Sequence, residues 1–317
     1  MILAGDIGGT KTQLALFAGE PFQPREFRTY PTQEFDGPFS LLEHYLSQVK
    51  AKVEVLSLAV AGPVLHGEVY MVNVGWRFSE GSLASALGGC PVYLLNDLEA
   101  LAFALPHLDA QDLVEVKPGQ REAEGNAAVL AAGTGLGEAF LIRRRAPGPI
   151  PVATEGGHAE FYPTDELTWG LREFLAERYG HVSLERVVSG PGIENIYQFL
   201  CAREGVAPRY SSAKEIGEAG LAGEPLPRKC LELFVAAYGA EAGNMALRCL
   251  ATGGVFLGGG IAPKLLPLIQ SPLFRRSFLD KGRLSSFLQD VPVFVVKHAY
   301  PVLYGAALYA RAQRERQ

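Results

Sequence analysis

Two short apolar runs near the start of the chain, Ile2-Leu3-Ala4 and Leu14-Ala15-Leu16-Phe17, flank the segment Asp6-Ile7-Gly8-Gly9-Thr10-Lys11-Thr12. Apolar runs this short around a cluster of glycine and threonine read as strand, turn, strand. The construction recurs at 127–142. There Ala128-Val129-Leu130-Ala131-Ala132 leads into Gly133-Thr134-Gly135-Leu136-Gly137 and out through Ala139-Phe140-Leu141-Ile142. One such turn is an ordinary hairpin, whereas two with the same grammar imply two related halves.

Around these hairpins strands and helices alternate. A helical pattern spans 38–51, an apolar strand runs Val53 to Val60 into Ala61-Gly62-Pro63, and Val92-Tyr93-Leu94-Leu95 precedes a helix near 97–105. Beyond residue 160 helices dominate, at 165–180, 184–204, 212–221 and 227–250. A strand Val291 to Val296 and a small-residue helix at 301–312 close the chain. The alternation specifies an α/β chain with helices flanking its sheets, and the hairpins specify mixed rather than purely parallel sheets. At 317 residues there is room for about two domains of ~150 residues. No low-complexity linker marks a boundary. The duplication sets the division, residues 1–108 with 299–317 forming a small α/β domain and 109–298 a large one.

Both glycine turns suit phosphate, because glycine lets backbone N–H groups approach an anion and threonine adds hydroxyl donors. In the first, Asp6 is placed to hold Mg²⁺ through water, and Gly8, Gly9, Thr10, Lys11 and Thr12 to meet nucleotide phosphates. Gly133, Thr134 and Gly135 offer the same in the second. A third cluster, Gly253-Gly254-Val255-Phe256-Leu257-Gly258-Gly259-Gly260-Ile261-Ala262-Pro263, reads as a strand entering a glycine turn. Flat backbone at Gly259 and Gly260 can accept an adenine face, or serve only close packing of strand on helix. Pro263 is placed to begin a helix. Neither turn has the spacing of a P-loop or a dinucleotide fingerprint.

Composition narrows the partners. A net charge of −5, with dense basic residues only at Arg143-Arg144-Arg145 and the C-terminal tail, offers no general field for nucleic acid. Four scattered cysteines with no C-x-x-C pair support neither a structural zinc nor a redox motif, and fit a reducing cytosol. Apolar residues at the N-terminus meet Asp6 after a few positions, and no run reaches ~18 uncharged apolar residues, so neither secretion nor membrane spanning is expected. A cytoplasmic protein is expected.

Three glycine clusters in this order, with Ala59-Val60-Ala61-Gly62-Pro63 and Tyr304-Gly305-Ala306-Ala307-Leu308 among them, resemble the five-segment signature of the actin-like ATPases and sugar kinases. Within that superfamily the chain is similar from end to end to the bacterial glucokinases. The matching strings include Leu95-Asn96-Asp97, Glu155-Gly156-Gly157-His158, His181-Val182-Ser183-Leu184-Glu185-Arg186-Val187 and Ser189-Gly190-Pro191-Gly192. The resemblance implies a two-domain actin-like ATPase (ribonuclease H-like) fold with an interdomain cleft, ATP and Mg²⁺ as cofactors, glucose as acceptor, and a homodimer. It also implies hinge or close-packing roles for Gly62 and Gly305.

Asp97 falls where that family has its general base, and a carboxylate is what an alcohol needs to lose its proton while attacking a γ-phosphate. Asn96 then binds sugar hydroxyls, although Asn96 with Glu99 also reads as a helix-capping pair. Glu155, His158 and Glu185 correspond to residues that contact the sugar. Taken without the resemblance, Glu155 and His158 also suit a metal, with Glu160 the one further ligand nearby. Glu185 by itself reads as a first-turn helix acid after a Ser183 cap. Ala159-Glu160-Phe161-Tyr162-Pro163-Thr164 lacks the cysteines of the zinc-carrying sugar kinases, and in this the chain resembles the zinc-free branch. Lys11 stands where some relatives have a smaller polar residue.

Two other classes fit less well. A sugar-sensing regulator needs a DNA-binding segment, and the first turn starts at residue 6 with no room before it. A non-catalytic ATP-switched protein has no use for Asn96, Asp97, Glu155, His158 and Glu185 together. A kinase for another hexose, fructose or mannose, stays open.

Overall fold

Strands β1 (Ile2–Ile7) and β2 (Lys11–Phe17) lie antiparallel, with Ile2 opposite Phe17 and Ile7 opposite Thr12, so the first glycine segment is a hairpin turn. The computed structural model describes residues 1–143 and 148–316. There follow β3 (Arg25–Pro31), α1 (Pro38–Val49), β4 (Val55–Val60), β5 (Val64–Leu65), β6 (Glu68–Met71), β7 (Trp76–Ser79), α2 (Glu80–Ala86), β8 (Val92–Asn96) and α3 (Asp97–Ala104). Next come β9 (Leu113–Lys117), β10 (Ala127–Ala132), β11 (Leu136–Ile142), β12 (Ile150–Thr154), α4 (Glu166–Tyr179), α5 (Gly190–Glu204), α6 (Ala213–Leu221) and α7 (Pro225–Cys249). The chain ends with β13 (Gly254–Gly258), α8 (Leu266–Ile269), α9 (Pro272–Leu279), α10 (Ser285–Asp290), β14 (Val293–Val296) and α11 (Pro301–Glu315).

Two compact units result. The first takes residues 1–108, 149–153 and 298 onward, and the second takes 109–148 and 154–297. In the first, the sheet order is β3-β2-β1-β4-β8, with β1, β4 and β8 parallel. Strand alternation sends Leu3, Leu14 and Leu16 to one face, against Leu41, Leu42 and Tyr45 of α1. Ile2, Ala4, Ala15 and Phe17 go to the other, against Leu303, Ala306, Ala307 and Leu308 of α11. Burial on both faces explains why these strands read as continuous apolar runs. α11 also packs on α3 so closely that a Cβ at Gly305 would collide with the Ala100 carbonyl, which accounts for glycine there by close approach.

The second unit repeats the plan. Hairpin β10–β11 is followed in the sheet by parallel β13 and β14, and β9 closes the far side antiparallel to β14. Hairpin plus two parallel strands is the arrangement of β1, β2, β4 and β8, so the two halves suggested by the glycine turns are related in topology. Its core sets Leu130 and Leu257 of the sheet among Ile196, Leu200, Phe234 and Tyr238 of α5 and α7.

Some expectations differ from what is found. The helix expected over 184–204 is broken: Leu184–Arg186 form a single 3-10 turn and α5 starts at Gly190. Ser189 causes the break, its hydroxyl accepting the Gly192 N–H at 3.0 Å while donating to the Glu185 carbonyl at 2.7 Å, and Pro191 suits a first turn. Ser183 makes no capping bond with its side chain. Nor does a helix begin at Pro263. Pro267, in the first turn of α8, has no N–H to return to the Pro263 carbonyl, and α8 is only four residues long. The small antiparallel sheet β5-β6-β7 was not evident in the sequence.

Candidate active site

In the first unit the turn after β1 is closed by the Gly8 N–H, which donates to the Lys11 carbonyl at 3.0 Å. Thr32 braces it from below: its hydroxyl donates to the Gly8 carbonyl at 2.7 Å and lies 2.9 Å from the Thr12 hydroxyl. Thr12 is therefore fully buried and turned inward, because the strand alternation that exposes Lys11 sends Thr12 to the core side. Thr10 and Lys11 are exposed. Asn73, in the turn between β6 and β7, sits against Gly9, where an added Cβ would come within 3.2 Å of the Asn73 Cβ.

Asp6 pairs with Ala59 in β4, and Val60 next to it pairs with Asn96 in β8, so Asp6 and Asn96-Asp97 share the carboxyl edge of three parallel strands. That edge is where open α/β sheets bind ligands. Burial first, and then the Asp97 carboxylate, push the Asp6 carboxyl up to about 7, with Lys11 opposing. Two carboxylates gathered beside a phosphate-suited turn are a donor set that fits a hard, hydrated dication.

Asn96 ends β8 and caps α3. Its Oδ1 accepts the Leu98 N–H at 2.9 Å, and Glu99 Oε2 accepts the Asn96 N–H at 3.0 Å, a complete capping box. Its Nδ2 donates to the Gly62 carbonyl at 3.1 Å, where Gly62 has φ +152°. Asp97 Oδ1 also accepts the Leu98 N–H at 2.9 Å, so the carboxyl is fixed at the corner between strand and helix.

In the second unit the turn after β10 is closed by the Gly133 N–H donating to the Gly135 carbonyl at 2.8 Å. The Gly190 N–H, at the start of α5, donates to the Gly133 carbonyl at 2.8 Å. Glu185 faces this turn: its Oε2 accepts the Leu136 N–H at 2.9 Å, and a Cβ on Gly135 would collide with that oxygen. It is thus a brace of the glycine turn and not an outward helix acid. Gly259, with φ +78°, lies so close to Ala132 that a Cβ would strike its carbonyl, while Gly259 and Gly260 stay exposed on the other side. Gly133–Gly135 and Gly259–Gly260 are in this way brought together.

Glu155 and His158 flank a 3-10 turn, with Glu155 Oε2 3.8 Å from His158 Nε2 and both side chains 63% exposed. The glycines between them are required from beneath. A Cβ on Gly156 would collide with Glu138 Oε2 and one on Gly157 with the Leu136 carbonyl, so the segment lies directly on β11. His181 Nε2 lies 3.0 Å from the His158 carbonyl. Among the described residues no three His, Cys, Asp or Glu side chains are grouped to hold a metal, so Glu160 does not complete a site with Glu155 and His158. The four cysteines are free thiols. Arg143 pairs with Glu124 at 2.9 Å; Arg144 and Arg145 lie outside the described residues.

Thr32, Asn73 and Glu138 are residues of these sites that the sequence reading did not single out. Glu138 alone carried a signal there, as a charge inside the apolar run 136–142.

The glucokinase family model matches residues 3–313. A glucokinase of Caulobacter sp. (strain K31) is 39% identical over 309 residues, spanning 96% of this chain and 94% of that one. The crystal structure of a glucokinase from an Antarctic psychrotroph has a TM-score of 0.88 at 34% identity, covering 98% of both chains. That of a glucokinase from Balamuthia mandrillaris in complex with glucose shares the fold, with a TM-score of 0.78 at 23% identity over 98% of this chain and 93% of the other. The fold is the actin-like ATPase fold of the sugar kinases. Matched by the family model over nearly its whole length, and by a relative at more than a third identity over the same span, the chain belongs to the glucokinase family.

Proposed function

We propose that the protein is an ATP-dependent glucokinase in which Asp97 is the general base. It transfers the γ-phosphoryl group of ATP to the 6-hydroxyl of glucose, giving glucose 6-phosphate and ADP. The observation that carries the assignment is Asp97 itself, held at the corner between β8 and α3 by the Leu98 N–H and the capping box, on the same strand edge as Asp6. A base must be fixed to within a fraction of an ångström to accept a proton as the oxygen attacks, and a capped corner between strand and helix is a rigid mount. The 6-hydroxyl proton passes to the Asp97 carboxylate as the oxygen forms its bond to γ-phosphorus and the bond to the β-phosphate bridge breaks.

The part comprising residues 1–108 with 299–317 supplies Gly8, Gly9, Thr10 and Lys11 to the nucleotide phosphates, with Thr12 bracing the turn. Residues 109–298 supply Gly133, Thr134 and Gly135, and Gly259 and Gly260 offer flat backbone to the adenine. Asp6 suits Mg²⁺ held through water. When bound, the ion neutralises charge on the phosphates. Asn96, Glu155, His158 and Glu185 take the sugar hydroxyls; Glu185 has one oxygen engaged by Leu136 and a second to accept from the sugar. Carboxylates and an imidazole suit hydroxyls, which donate and accept. The same family resemblance supports a homodimer in the cytoplasm. No helix of the described residues is long and apolar enough to cross a membrane.

ADP release across a panel of hexoses is the test. Glucose should give the highest kcat/KM; faster turnover of fructose or mannose would reassign the acceptor, and turnover of none would remove the kinase reading.

A further inference from the structure

Beneath the Glu155–His158 turn lies a carboxyl that the proposed reaction does not use. Glu138 sits on β11 opposite Leu130, wholly buried, and neither of its carboxyl oxygens has a hydrogen-bond partner. Such a group is normally paired or absent from a protein interior. Its Oε2 occupies the space where a Cβ of residue 156 would be, so only glycine fits above it. The same residue meets the segment a second time through its backbone: the Thr154 hydroxyl donates to the Glu138 carbonyl at 3.3 Å and accepts the Gly156 N–H at 3.1 Å.

The charges around Glu138 come from α7. Glu241, itself buried, holds Arg248 at 2.5 Å and accepts from Asn244 Nδ2 at 2.8 Å. Arg248 is 3.7 Å from Glu138 Oε2, and Tyr238 is near enough for the Glu138 charge to act on it. Lys281 lies beyond Glu241. Strands β10 and β12 carry no ionisable side chain, and Glu155 and His158 are exposed. One guanidinium therefore stands between two buried carboxyls and is closer to Glu241.

We propose that Glu138 is a positioning residue for the sugar: its uncharged carboxyl is the floor on which Gly156 rests, and ionisation of that carboxyl lifts the 154–158 segment and weakens glucose binding without altering phosphoryl transfer. An ionised Glu138 would face Glu241 and share with it a single guanidinium, Arg248, already held closer by Glu241, and the further relief is to turn toward water through the place Gly156 occupies. Burial, reinforced by Glu241 and opposed by Arg248, pushes the carboxyl up to about 8, so the uncharged form is present near neutrality. The inference rests on Glu155 and His158 binding the sugar.

Whole enzyme carrying Glu138→Gln keeps the shape and cannot ionise. The ratio of wild-type to variant KM for glucose should rise about tenfold between pH 7.5 and 9.5, while the ratio of kcat values and that of KM for ATP stay within about twofold. A glucose KM ratio that is flat over this range would overturn the proposal. Should the variant not fold, calorimetry of glucose binding to the wild-type enzyme at pH 8.5, in two buffers of different ionisation enthalpy, decides the question. Net proton uptake supports the role of Glu138, and none overturns it. Wild-type glucose affinity in both Glu155→Gln and His158→Ala would overturn the sugar-site reading as well, whereas weakened binding in those variants with a flat KM ratio removes Glu138 alone.

Discussion

Glu99 Oε2 accepts the backbone N–H of Asn96 at 3.0 Å, one residue ahead of the carboxyl assigned as the base. The bond fixes the direction in which Asp97 leaves β8. Asp97→Asn should lower kcat by roughly 10²–10⁴ with glucose KM changed only a few-fold, since base catalysis and not binding is removed. Glu99→Ala should cost about 1 kcal/mol of stability and reduce kcat less than Asp97→Asn does. ADP-release kinetics with thermal unfolding read both; near-normal turnover in Asp97→Asn would sink the assignment.

Asp6 is predicted to act in two opposite directions. Its carboxyl stands at about 7 in the folded chain, above its ordinary 3.8. Its contribution to stability is thus fully present below pH 3.8 and is lost as pH rises through 7. Asp6→Asn should accordingly raise the free energy of unfolding at pH 8 without metal, by of order 1–2 kcal/mol. The same change should raise the Mg²⁺ concentration that half-saturates turnover. Equal Mg²⁺ requirements in the two proteins would remove Asp6 from the metal site.

Glycines predicted from close approach separate stability from binding. Gly305→Ala drives a Cβ into the Ala100 carbonyl between α11 and α3, and should cost about 3 kcal/mol or more in stability. Gly157→Ala meets the Leu136 carbonyl instead. It should displace Glu155 and His158 and raise glucose KM at least tenfold, the ~1.4 kcal/mol that a modest misplacement of two contacts represents. Unfolding midpoints and KM values for the pair distinguish the two effects.

Stability should also report Glu138. A carboxyl raised from 4.5 to about 8 gives the folded chain stability that is complete below pH 4.5 and lost by pH 8, at most about 1.4 kcal/mol per pH unit. Wild type measured against Glu138→Gln in urea should lose ground steadily between pH 5 and 8. Parallel pH profiles would mean that Glu138 is ionised throughout.

What could be read in the sequence was local. The two hairpins, the strand expected over Val53 to Val60 and found at Val55–Val60, and the Asn96–Glu99 box are each encoded within a few residues. Ser189-Gly190-Pro191 was an equally local stop that a helix drawn across 184–204 passed over. Other features depend on partners far along the chain. The partner that the inward Thr12 hydroxyl meets, Thr32, comes twenty residues later, and Glu185 points at Leu136 and not at solvent. Gly156 and Gly157 are fixed by what lies under them on β11. Short strands such as β5 and β6 leave almost no periodicity to detect, since two to four residues cannot show a pattern.

The packing of α11 on β1 and α3 has a consequence for how the chain is made. Ile2 and Ala4 leave the ribosome long before Leu303, Ala306 and Ala307, which cover them. Strand β9 must likewise wait for β14. Neither unit can close its core until these later elements have been made, so the nascent chain carries uncovered sheet faces in the interval.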